Sequence, residues 1–179
     1  MIYVQRRHLG YLVRMIIEQG TSIITEQKHS VNYARETDTT IQHIVIVDDD
    51  KDDIFVFDQA LREINDQFKL HFALSGDQMF ELLQQFTPDL IFLDLHMPGK
   101  SGIACLKMLR YNKIYEDVPV IIYSKLDKQS FIDDCYESKA NYYIIKPVTF
   151  EKIRIAINEV ISNDWEAQRY PAKEDFVIR

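Results

Sequence analysis

The chain has 179 residues, 46% of them hydrophobic, which suits one domain with short extensions and a real core. Its 28 Asp and Glu against 21 Lys and Arg give a net charge of −7, a poor basis for nonspecific DNA binding. The two cysteines, Cys105 and Cys135, have no close spacing, which argues against a metal knuckle or disulfide framework and fits buried thiols in a reducing, cytosolic compartment.

Residues 1–41 differ from the rest and read as an N-terminal extension, partly helical and partly disordered. Tyr11 to Gln19 spells one short amphipathic helix, and the polar stretch Thr21 to Thr40 reads as a linker. Glu18 and Gln19 cut the Leu12–Ile17 apolar patch too short for a signal peptide. No stretch approaches the roughly 20 apolar residues of a membrane span.

Residues 42–162 carry a regular alternation. Ile44–Val47 is a continuous β-branched run, as in a strand buried on both faces. Asp52 and Asp53 start a helix with Ile54, Phe57 and Leu61 on one face. Leu70–Leu74 is a short strand. Ser75 or Gly76 opens a second helix bearing Met79, Leu82, Leu83 and Phe86, which Pro88 ends. Leu90–Leu93 is the third strand, and Pro98-Gly99 turns the chain. Ser101 caps a helix carrying Ile103, Leu106 and Leu109. Pro119 leads into Val120–Tyr123, which ends in Ser124. Asp127–Lys139 is a fourth helix with Phe131, Ile132 and Cys135. Tyr142–Ile145 is the fifth strand, and Thr149 caps a fifth helix with Ile153, Ile157, Val160 and Ile161. Five βα units with apolar strands predict a doubly wound parallel sheet, (βα)5, with helices on both faces. The C-terminal tail, 163–179, places Trp165, Tyr170 and Phe176 among polar residues. It suits packing on the domain or engaging a partner, and the sequence does not choose.

The strand ends carry the chemistry. Asp48-Asp49-Asp50 close the first strand, Asp94 the third, Ser124 the fourth and Lys146-Pro147 the fifth. In such sheets the ligand site lies beyond the carboxyl ends of the strands, near the switch in strand order. Carboxylates held close repel one another and raise their pKa values. A hard cation such as Mg2+, which prefers oxygen ligands, removes that conflict. An Asp oxygen is then available as a nucleophile toward phosphorus, with Lys146 and Ser124 placed to meet phosphoryl oxygens. The acids Asp50, Asp52 and Asp53 read as capping or solvated groups in a first helical turn. His8, His29, His43 and His71 show no mutual spacing that suggests a metal or phosphotransfer site.

Four pieces in order, Val47-Asp48-Asp49, Leu93-Asp94-Leu95-His96-Met97-Pro98-Gly99, Ile122-Tyr123-Ser124 and Ile145-Lys146-Pro147, resemble the receiver domain of bacterial response regulators. Ser101-Gly102 and Ala140-Asn141 extend the match over about residues 42–162. The resemblance implies a flavodoxin-like five-stranded sheet and a stand-alone, cytoplasmic two-component switch rather than an enzyme with its own substrate, with no DNA-binding module following. It implies Asp94 as phosphoacceptor, with self-catalysed phosphotransfer and dephosphorylation. Asp49 and Asp94 would bind Mg2+ directly, Asp48 would assist through water, and the main-chain carbonyl of His96 would complete the protein ligands. Ser124 and Lys146 would contact the phosphoryl group, Tyr143 would be the aromatic switch that turns inward with Ser124, and Pro147 would follow a cis peptide. The implied partners are a histidine kinase or histidine phosphotransferase and a downstream effector protein. A homodimer through the face of helix 4, strand 5 and helix 5 is a further option.

Lys125 departs from the family, which usually has a small residue there. A long cation would cover part of the site or add a second positive contact. Leu126, two residues past Ser124, cannot position an attacking water. Two rival readings stand beside the switch. An Asp- and Mg2+-dependent phosphatase fits poorly, because such enzymes typically carry Asp-x-Asp on the first strand. A receiver-like scaffold that is never phosphorylated fits poorly with a complete acid, Ser and Lys set.

Overall fold

The structure, a computed structural model, describes residues 41–165, 167 and 169–179. The predicted helix over 11–19 and the linker over 21–40 lie outside these residues. Strands β1 (His43–Val47), β2 (Lys69–Ala73), β3 (Leu90–Leu93), β4 (Val120–Ser124) and β5 (Tyr142–Ile145) alternate with helices α1 (Lys51–Ile64), α2 (Gly76–Leu83), α3 (Gly102–Tyr111), α4 (Gln129–Glu137) and α5 (Phe150–Ile161). All strand pairs are parallel, in the order β2-β1-β3-β4-β5-β6.

Parallel strands covered on both faces must be apolar throughout, and two cores result. On one face Val45, Val47, Ile91, Leu93, Val120 and Ile122 meet Met79 and Leu83 of α2, Leu106 and Leu109 of α3, and Ile132 and Cys135 of α4. On the other, Ile44, Ile46, Phe92, Ile121 and Ile144 meet Phe57 and Leu61 of α1 and Ile157 and Val160 of α5. Both cysteines are buried free thiols.

The helix starts are set by local side chains, as expected. Ser75, Ser101 and Thr149 accept hydrogen bonds from the backbone N–H of Gln78, Ala104 and Lys152. The first helix starts slightly earlier than predicted, because Asp50 caps it and accepts from Asp52 and Asp53. Helix α2 ends at Leu83, short of Phe86, and α4 runs from Gln129 to Glu137, inside the predicted Asp127–Lys139. Lys139 ends α4 in a left-handed conformation at φ 63°, and Gly99 takes φ 82° in the turn after Pro98.

The sheet has one strand more than the five read from the sequence. Val177–Ile178 forms β6, parallel to β5 with Tyr143 opposite Val177 and Ile144 opposite Ile178. The tail is anchored before it reaches the sheet. Asn141, buried at the start of β5, accepts from Val120 N–H and from Arg110, and donates to the carbonyl of Arg169 at 2.7 Å. Lys173 pairs with Asp133 of α4 at 2.8 Å, and Trp165 packs edge-on against Tyr142. Phe176, 1% exposed, enters the core beside Tyr136 and Tyr143, and its carbonyl accepts from Tyr143 N–H at 2.9 Å. A two-residue strand has too little sequence signal to be read alone. Its pairing comes from the β5 edge and the Phe176 pocket.

Among the described residues no helix is long and apolar enough to cross a membrane.

Candidate phosphoryl and metal site

The order β2-β1-β3-β4 places the chain's switch point at β1 and β3, and the polar strand ends meet there. Ladder bonds fix their heights. Asp48 N–H donates to Ala73 O, Asp94 N–H to Val47 O and Lys146 N–H to Ser124 O, at 2.9–3.0 Å. The result is a cleft of about 350 Å3 lined by Asp48, Asp49, Asp50, Asp53, Asp94, His96, Ser124, Lys125 and Leu126.

Asp94 is buried and fully engaged. Its Oδ1 accepts from Ser124 Oγ at 2.6 Å and from His96 N–H at 3.1 Å, and its Oδ2 accepts from Lys146 Nζ at 2.8 Å. Lys146 Nζ also donates to Asp48 Oδ2 at 2.5 Å and to Asp53 Oδ2 at 2.8 Å, so one buried ammonium faces three carboxylates. Burial acts to neutralise that ammonium, but the bonds to Asp48, Asp53 and Asp94 outweigh it and hold the Lys146 pKa above its ordinary value. Burial pushes the Asp48 carboxyl up despite the pull of Lys146. Burial also acts to raise Asp53, yet hydrogen bonds from Lys146 and Lys125 hold it below its ordinary value.

Asp48, Asp49 and Asp94 each offer a carboxylate oxygen within 4.8 Å of the others, two buried and one exposed. Three hard oxygen donors at that spacing, open on one side to solvent, fit a divalent cation of the Mg2+ type better than a soft metal. The five side chains expected to share a site, Asp48, Asp49, Asp94, Ser124 and Lys146, do share one.

Tyr143 is fully buried, with its hydroxyl donating to Leu126 O at 2.6 Å, two residues beyond Ser124. The ring therefore stands inward while Ser124 is at Asp94, with Phe176 packed beside it. The Lys146–Pro147 peptide is trans, against the expected cis, as there is no cis bond among the described residues. The trans form is favoured by about 0.5–1 kcal/mol at X–Pro, and Lys146 reaches all three acids from it.

Two features escaped the sequence reading, the ion pairs of Asp53 and the pairing of His43 with His71, while Lys125 takes the first of its two expected roles and covers part of the site. Asp53 is a partner of Lys146 and Lys125 as well as a first-turn acid. Lys125 lies over the cleft mouth against Asp53 and Asp50 rather than toward Asp94. His43 and His71, which showed no suggestive spacing, stack with their Nδ1 and Nε2 3.1 Å apart against Phe86, because β1 and β2 run side by side. They line no part of the cleft.

Gly102 fixes the turn under Asp94. A Cβ there would overlap the carbonyl oxygen of Asp94 and the Leu95 backbone. Gly102→Ala is expected to cost about 1–3 kcal/mol, as overpacking does, read as a lower midpoint in urea.

Residues 44–158 match the response regulator receiver domain, and the chain belongs to that family. A sensory transduction protein, LytT, of Oceanobacillus iheyensis is 34% identical over 118 residues, 66% of this chain and 47% of its own length. The chemotaxis protein CheY of Bacillus subtilis is 30% identical over 90 residues, 50% of this chain and 73% of its own. The chain thus spans about half the length of LytT. Two solved structures share the fold. The phosphorylated cyanobacterial phytochrome response regulator RcpA has a TM-score of 0.63 at 24% identity, over 67% of this chain and 91% of its own. The Mn2+-bound response regulator Rcp1 has a TM-score of 0.62 at 24% identity, over 73% and 99%.

Proposed function

We propose that this receiver is a phosphorylation-activated switch in which Asp94 accepts a phosphoryl group from a phosphohistidine. The donor would be a histidine kinase or a histidine phosphotransferase. The observation that carries the reading is the convergence of Lys146 Nζ and Ser124 Oγ on a buried Asp94, at 2.8 and 2.6 Å, beside Asp48 and Asp49. An Asp94 carboxylate oxygen attacks phosphorus, the P–N bond to the donor imidazole breaks, and the imidazole leaves with a proton from solvent. Lys146 transfers one of its bonds to a phosphoryl oxygen and neutralises charge there. Ser124 turns its hydroxyl from Asp94 to the phosphoryl group.

Asp49 and Asp94, with the main-chain carbonyl of His96, are the residues that would hold Mg2+, with Asp48 assisting. Bound there, Mg2+ supplies positive charge at the transferring phosphoryl oxygens. The catalysed events are uptake and loss of phosphate at Asp94 itself, with no separate substrate turned over.

Ser124 precedes Leu126, whose carbonyl holds the Tyr143 hydroxyl, so a shift at Ser124 biases the Tyr143 ring and the surface of α4, β5 and α5. Output is contact with a downstream protein. Because β6 occupies the outer edge of β5, a partner or a second copy at this face would meet β6 between α4 and α5.

Incubation with acetyl phosphate and Mg2+, or with a phosphohistidine donor, is expected to label the protein in an acid-labile way. Asp94→Asn should remove that label entirely. An equally labelled variant would overturn the assignment, and sustained hydrolysis of a small phosphoester would favour a phosphatase instead.

A further inference from the structure

Asp53 stands at the third position of α1, where an acid is usually explained by the helix dipole. Here a single oxygen, Oδ2, lies 2.8 Å from Lys146 Nζ and 2.9 Å from Lys125 Nζ. The two lysines come from the ends of different strands, β5 and β4. Lys146 is buried, with its side chain 5% exposed, whereas Lys125 is 65% exposed.

The donor count makes this arrangement consequential. An ammonium has three N–H donors, and Lys146 spends them on Asp48, Asp53 and Asp94. A phosphoryl group on Asp94 adds oxygens that need a donor, so Lys146 must release one of its acids. Asp48, 1% exposed, has no second side-chain cation within ion-pair distance among the described residues, and even where Mg2+ shares its charge a buried oxygen that loses Lys146 has no solvent to replace the hydrogen bond. Asp94 is the site of bond formation. Asp53 is partly exposed and keeps Lys125 when Lys146 leaves, so it is the acid that can be released.

We propose that Asp53 is a positioning residue for phosphoryl uptake, acting through Lys146, and that Lys125 is the counter-ion that lets it release Lys146. The inference rests on the phosphoacceptor reading of Asp94. Without Lys125, Asp53 depends on Lys146 alone and holds it away from the phosphoryl group. An ordinary exposed ion pair would have little effect. This one shares an oxygen with a buried ammonium at the reacting carboxylate.

The test follows the rate of phosphoryl uptake against acetyl phosphate concentration, with Mg2+, in the full chain. Lys125→Ala is expected to lower the saturating rate roughly tenfold, the size of one charge-assisted hydrogen bond, with little change in half-saturating donor. Lys125→Arg should restore it. Asp53→Asn added to Lys125→Ala should also recover most of the rate, because a neutral amide oxygen holds the Lys146 ammonium less strongly than a carboxylate does. Melting curves verify that each variant is folded. A faster Lys125→Ala with a lower half-saturation point would mean that Lys125 merely covers the cleft, and would overturn the proposal. So would a double variant as slow as Lys125→Ala. A labelled wild type whose Lys125→Ala variant matches it overturns this proposal alone. A wild type that takes up no phosphoryl group overturns it together with the reading beneath it.

Discussion

Lys146→Ala is expected to destabilise the metal-free domain by about 3–5 kcal/mol at neutral pH, the range for removing one partner of a buried ion pair. Among the described residues, Lys146 is the one cation within 4 Å of Asp48 and Asp94, and its loss leaves both carboxylates buried without a counter-charge. The pH dependence follows from the directions of the shifts. Lys146 has a folded-state pKa above its unfolded value of 10.5, so its contribution is complete below that and is lost as pH rises through the folded value. Asp48 has a folded-state pKa above its unfolded value of 3.8, so burying it ionised costs stability once pH rises past 3.8. With Lys146 gone, its pull no longer reduces that cost. Urea denaturation should therefore show a gap between variant and wild type that widens from pH 4 to pH 7. Mg2+ should narrow the gap at pH 7, because a cation held by Asp48, Asp49 and Asp94 replaces the missing charge.

Phe176→Ala is expected to cost about 3–5 kcal/mol, the range for truncating a buried aromatic ring. The ring is enclosed by Tyr136 and Tyr143, and the same residue accepts a ladder bond from Tyr143. A tail resting loosely on the surface would instead give a change within about 0.5 kcal/mol. Denaturation followed through Trp165, the single tryptophan, reads both the domain and the tail, because Trp165 lies against Tyr142 in β5. The expected result is one transition with a lowered midpoint. A separate early transition would mean that the tail detaches alone. Because Tyr143 touches both Phe176 and the loop after Ser124, the tail contributes to the residue through which the proposed switch is read out.

Much of this architecture was legible in the residue order. Apolar runs of four residues ended by acids, Ser or Lys marked β1, β3, β4 and β5 together with their functional ends. Ser75, Ser101 and Thr149 marked helix starts, because capping is a local interaction. What escaped depended on contacts between distant segments. Strand β6 needs the β5 edge to exist, and the β-branched pair Val177–Ile178 is too short to be read as a strand alone. The His43–His71 pair needs the β1–β2 register. Asp53 looked like one more acid at a helix start until the sheet brought Lys146 and Lys125 to it. The X–Pro geometry at Lys146–Pro147 was carried over from the family, and nothing in the local sequence required it.

The most direct test of the central claim locates the phosphoryl group chemically. The protein is treated with acetyl phosphate and Mg2+, reduced with borohydride to convert an acyl phosphate to an alcohol, digested and sequenced by mass spectrometry. The account predicts homoserine in place of Asp94 and at no other acid, dependent on both Mg2+ and the phosphoryl donor. Homoserine at Asp48, Asp49 or Asp53 with Asp94 unchanged, or phosphate recovered on a histidine, would contradict it.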